Sequence, residues 1–129
     1  MYESFLPDFN AASNFYKRNA GESLIDLFFQ NAESYFSFMD VEYTLEKDSD
    51  SLKINTPRVL FVLTSRNGVP SVVSVYAIAN SFIRKFRDSI WTTKKVFGFP
   101  VGAVMDDADD GYFETHPSKF KVIIFPKMQ

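Results

Sequence analysis

The sequence predicts an α+β domain: two N-terminal helices, then an antiparallel sheet of about five strands with one inserted helix, in the order ααβββαββ. Three observations predict it. Through the first forty positions apolar residues recur three and four apart, the period of a helix packed on one side. Beyond position 41 apolar residues alternate or run together over strand lengths. Asn67-Gly68 lies between two apolar runs, the strongest short-range hairpin signal, because a type I′ turn needs φ > 0 at both residues. No repeat or Gly/Ser/Pro-rich linker divides the chain, so residues 1–129 read as one domain.

The first helix starts at Asp8, a candidate N-cap, places Phe9, Ala12, Phe15 and Tyr16 on one side, and stops by Gly21. Ser23 caps a second helix whose apolar stripe is Ile25, Phe28, Phe29, Ala32, Phe36 and Met39. Val41, Tyr43 and Leu45 alternate with Glu42, Thr44 and Glu46, as in a half-solvated strand. After a polar turn at 48–51, Leu52 to Asn55 is a candidate short return strand. Val59-Leu60-Phe61-Val62-Leu63 is apolar on both faces, which predicts a central strand covered on both sides. The hairpin returns along Ser71 to Tyr76, with Pro70, which has no N–H for the ladder, at its start. Asn80 or Ser81 caps a third helix with Phe82, Ile83, Phe86 and Ile90 inward. Val96 to Met105 and Tyr112 to Phe125 form a last hairpin, with Asp106 to Gly111 as its turn.

Composition excludes several chemistries. Without cysteine there is no disulfide, thiolate or Cys-based zinc site, and one histidine cannot build a multi-histidine metal centre. With 46% apolar and 17% aromatic residues the chain does not read as a disordered tail. The N-terminus lacks the basic and apolar regions of a signal peptide, and no apolar run reaches the length of a membrane span. The expectation is a cytoplasmic protein that does not engage membranes.

Candidate reactive motifs favour plain readings. Placing Gly111 at the sixth position of an EF-hand loop puts Ala108 and Pro117 where calcium needs oxygen ligands. Asp106, Asp107, Asp109 and Asp110 therefore read as a solvated acidic turn, with an acidic docking surface as the functional alternative. His116 has no nucleophile elbow in the sequence to serve, and Gly98 to Gly102 leads into a strand rather than a phosphate-binding helix, so a bulge or bend is expected. Glu42 and Glu46 read as a solvated strand face. No catalytic residue, cofactor or metal is expected, and the chain is read as a non-enzyme.

Charge is the informative feature. Residues 1–57 carry ten acidic and four basic side chains, net −6. Residues 58–105 carry seven basic residues and Asp88, net +6, and residues 106–129 are net −2. The basic block centres on Arg84, Lys85, Arg87, Trp91, Lys94 and Lys95. Arg84, Arg87, Trp91 and Lys95 would share a face if the helix continued that far. The plain reading is a solvated helix face, or pairing with the acidic N-terminal helices. The functional reading is a protein-binding module, an inhibitor, adaptor or assembly component, whose partner is another protein or a second copy in a homo-oligomer. The alternative is single-stranded nucleic-acid binding by the helix over 80–95, with Trp91 stacking on a base; a pI of about 5.3 weighs against it.

The run from Phe86 through Val101-Gly102-Ala103-Val104-Met105-Asp106-Asp107 to Gly111-Tyr112-Phe113 resembles the helix, strand and acidic turn of small DNA-binding proteins from single-stranded DNA phages. That resemblance implies a phage or mobile-element accessory role and assigns no residue a function.

Overall fold

The computed structural model describes residues 2–4 (backbone only), 8–48, 50–105 and 118–127. The fold is α+β. Its helices are α1 (Phe9–Arg18), α2 (Leu24–Phe38) and α3 (Asn80–Thr93). Its strands are β1 (Tyr2–Ser4), β2 (Thr44–Lys47), β3 (Ser51–Asn55), β4 (Val59–Arg66), β5 (Val69–Ala77), β6 (Lys95–Val96), β7 (Phe99–Met105) and β8 (Ser118–Ile124). All pairings are antiparallel, in the order β1-β7-β8-β5-β4-β3-β2, and β6 pairs with β7.

Among the described residues the sheet thus has seven strands in line, with β6 beside β7, rather than about five. The return strand β3 is a full member, pairing with both β2 and β4. β1 is three residues long and pairs with Ala103–Met105, a partner too distant in sequence to leave a local periodic signal. The strand expected over 96–105 is broken by a tight turn at Phe97-Gly98, which separates β6 from β7. β5 and β7 both run antiparallel to β8, so α3 connects two strands of the same direction with β8 filling the slot between them.

Local chemistry explains most helix ends. Asp8 accepts a bond from Ala11 N at 2.9 Å and Ser23 one from Asp26 N at 3.4 Å, so both act as N-caps. α3 differs from expectation: its cap position is Ala79, with no side-chain bond, and Asn80 already lies in the first turn. With the Asn80 amide oxygen oriented by its partners, it accepts from Arg84 Nε and Nη2 at 3.2 Å.

Buried residues of all three helices join one cluster with Ile54, Phe61, Val75, Phe120, Val122 and their strand neighbours. Fully burying each such large apolar side chain contributes about 1.5–3 kcal/mol. The opposite face of β4 carries a separate small cluster, Leu60 and Tyr76 with Val62, so the helices cover one face rather than two. A register shift between Val101 and Ala103 marks a bulge at Gly102, as expected there. It lets Val101 and Val104, three apart, both join the main core. Met39, expected inside, is 52% exposed, because it lies at the C-cap where the helical stripe has run out.

Candidate functional site

Between α2 and α3 runs a groove of about 990 Å³, lined chiefly by apolar side chains. Its construction starts from the Phe97-Gly98 turn. Phe97 has φ 47° and Gly98 φ 83°, as a type I′ turn requires. A phenylalanine in this conformation is uncommon, and here packing holds it. The Phe97 ring lies 5.4 Å from Phe28, 5.4 Å from Tyr35, 5.7 Å from Phe61 and 6.1 Å from Phe86, centroid to centroid. Asn31 Nδ2 on α2 donates to Phe97 O at 2.9 Å. The turn is thereby pinned between the two helices and lines the groove.

Above it, the groove wall is exposed apolar surface. Phe38 is 88% exposed, and Tyr35 and Met39 are exposed beside it. On α3, Phe82 and Phe86 stack at 5.7 Å and face the groove. Large apolar side chains grouped on a surface in this way mark interaction sites more often than isolated ones do. Tyr35, Met39 and Phe82 also line a smaller apolar pocket of about 300 Å³, closed by Val59, Phe61 and the Thr56–Val59 turn, with Arg58 a charged residue in its lining. The turn is fixed by Thr56 Oγ1, which accepts from Val59 N at 2.9 Å and donates to Val59 O at 3.0 Å. Among the described residues, the charged ones lining the groove are Lys85 and Lys95, both cationic.

The structure divides the residues expected to bind a partner. Lys85 and Lys95 line the groove. Arg84, Arg87 and Trp91 occupy the other flank of α3, by helical spacing, and Trp91 is 38% exposed. Lys95 does not continue their stripe: α3 ends at Thr93, and Lys94 takes a left-handed conformation (φ 57°) that turns the chain into β6. Lys94 and Lys95 instead line a cleft of about 370 Å³ against α1, together with Asp8, Asn14, Phe15 and Arg18. An ion pair joins Lys47 to Asp26, and Lys47 Nζ lies 5.6 Å from the Phe29 ring. The Lys47 hydrogen bond is the largest cause holding the Asp26 carboxyl below its ordinary range.

Two tyrosines feel the core. Burial pushes Tyr16 up to about 12, and its hydroxyl donates to Phe125 O at 2.5 Å. Burial also raises Tyr35, at the groove. Asp106, Asp107, Asp109, Asp110 and His116 lie outside the described residues, so the acidic turn and the histidine keep their expectations only. Among the described residues, no group of three His, Cys, Asp or Glu could hold a metal ion, and no helix is long and apolar enough to cross a membrane.

The sequence reading missed Phe38, Met39 and Phe97 as site residues. Phe38 lies off the buried stripe of α2, and an exposed phenylalanine at a helix end is the signal that could have found it. Comparison with known proteins finds no matching family model, no similar curated protein and no similar solved structure.

Proposed function

We propose that the chain is a non-enzymatic protein-binding module, and that the α2–α3 groove receives an apolar segment of another protein flanked by acidic residues. The observation that carries this reading is the exposed wall of Phe38, Tyr35 and Met39 facing Phe82 and Phe86, with lysines as the groove's charged lining. Amphipathic segments dock in such grooves through a few apolar anchors, and opposite charge at the rim sets orientation and encounter rate.

The test is comparative capture from native lysate, with and without nuclease, using the wild type, Phe38→Ser, Lys85→Glu, and Arg84→Glu with Arg87→Glu. The groove reading expects the first two variants to lose a partner that the Arg84/Arg87 variant keeps, whatever the nuclease treatment. Retention by Phe38→Ser sinks it. Loss confined to the Arg84/Arg87 variant moves the site to the outer flank of α3. Self-association, followed by sedimentation, would identify the partner as a second copy of the chain.

A second reading, single-stranded nucleic-acid binding, draws on the exposed Trp91 beside Arg84 and Arg87. It expects Trp91 fluorescence to quench on adding oligonucleotide at low salt, with affinity falling steeply as salt rises. An unchanged spectrum removes it.

A further inference from the structure

The cleft between α1 and the α3–β6 junction is built differently from the groove. One face of α1 supplies Asp8, Ala11, Asn14, Phe15 and Arg18, spaced three and four apart. The junction supplies Thr93, Lys94 and Lys95, and Phe15, Pro100, Val101 and Phe125 form a buried apolar floor. Three cations from two distant parts of the chain therefore border one recess of about 370 Å³ in a protein of net charge −2. Among the described lining residues the acid is Asp8, which accepts from Ala11 N as the α1 cap and leaves the cations in excess. From these observations we propose that the cleft binds the phosphate or pyrophosphate group of a small phosphorylated ligand.

The backbone at the junction points the same way. Lys94 occupies a left-handed C-cap, a conformation that ordinarily selects glycine. A non-glycine residue there costs on the order of 1 kcal/mol, and such a cost is commonly retained where the side chain serves a site. The position is fixed on both sides: Lys94 N donates to Ile90 O at 2.6 Å, and Lys94 O accepts from Val101 N at 3.0 Å. Thr93 Oγ1 accepts from Lys95 N at 3.2 Å, which holds the next residue. The two lysines are thus presented from a set backbone, and Arg18, which lines the same cleft from α1, is the fork-shaped donor suited to phosphate oxygens. The recess is compact, with an apolar floor, which suits a terminal phosphate on a small molecule better than a continuous nucleic-acid backbone.

Calorimetric titration of the full chain with sodium pyrophosphate, at constant ionic strength and with sodium sulfate as the control anion, tests the proposal. Saturable binding of pyrophosphate, clearly tighter than sulfate, is expected. Arg18→Gln and Lys94→Gly should each weaken it by about tenfold, as the loss of one charge-assisted hydrogen bond implies. Arg18 and Lys94 line this cleft and not the groove, so the result is independent of the protein-binding reading. Glycine suits the left-handed cap, so Lys94→Gly should stay folded, and a parallel thermal melt confirms that lost binding is read from folded protein. Absence of saturation, equal response to sulfate, or unchanged binding in both variants overturns the proposal. Tighter binding of an oligothymidylate lacking a terminal phosphate, lost in the same variants, also overturns it, in favour of a nucleic-acid backbone site.

Discussion

Asn67-Gly68 and Phe97-Gly98 are both two-residue hairpin turns with positive φ at each position, 54° and 77° in the first, 47° and 83° in the second. The first has the residues such a turn prefers, stands exposed between β4 and β5, and has open space around Gly68. The second puts a phenylalanine where asparagine is ordinary, and packs it among five aromatic rings. Local preference accounts for one turn. Tertiary packing accounts for the other, against local preference, and in doing so shapes the α2–α3 groove.

The largest expected effect comes from the rings. Phe97→Ala should cost about 3 kcal/mol, at the low end for phenylalanine because the site is partly exposed, whereas Asn67→Ala should cost about 1 kcal/mol or less. Urea unfolding of both variants measures the difference, and equal losses would mean that the cluster does not hold the second turn. Phe97→Asn sharpens the contrast, since it restores the turn preference while removing the ring. It should still destabilise.

The glycines give a smaller contrast. Alanine at Gly68 meets only the penalty of positive φ, about 1 kcal/mol. Alanine at Gly98 meets that penalty and also brings its Cβ within 3.1 Å of Asn31 Nδ2, the atom that donates to Phe97 O. Gly98→Ala should therefore lose roughly twice as much. A thermal midpoint no lower than that of Gly68→Ala would show that Asn31 yields freely.

The smallest effect is a change of slope with pH. Burial favours the neutral tyrosine in the fold, so Tyr16 stabilises fully below its ordinary value of 10, and that contribution is lost as pH rises through about 12. Stability should fall across this interval, and Tyr16→Phe should flatten the fall. Tyr35 is raised in the same direction and rests on Phe97. Phe97→Ala opens that contact and should remove part of the alkaline slope, while Asn67→Ala should leave it intact. Identical slopes would disconnect Tyr35 from the turn.

Much of the fold was legible wherever a signal was local. Asp8 and Ser23 cap helices as their residue types suggest, and the β4–β5 hairpin follows from Asn67-Gly68. Pairings such as β1 with β7 depend on residues about a hundred positions apart, and no period within a short strand reports them. The site was legible in kind and not in arrangement. Basic residues over 84–95 were visible, but their division between two flanks depends on where α3 ends. Lys94 ends it in a conformation that a lysine does not advertise. The plain alternative for the basic block, pairing with the N-terminal helices, is met in part by the cleft that Lys94 and Lys95 share with α1.

The slot filled by β8 has a consequence for how the chain is made. Synthesis from the N-terminus delivers β8 after every other strand described. Until it emerges, the β2–β5 meander and the β6–β7 segment each carry a bare edge, at β5 and at β7, where unpaired N–H and C=O groups can recruit a stray strand. A single late event closes both edges and joins the two halves of the sheet. A chain in which residues 118–124 have not docked therefore exposes both edges, and it is the species expected to aggregate.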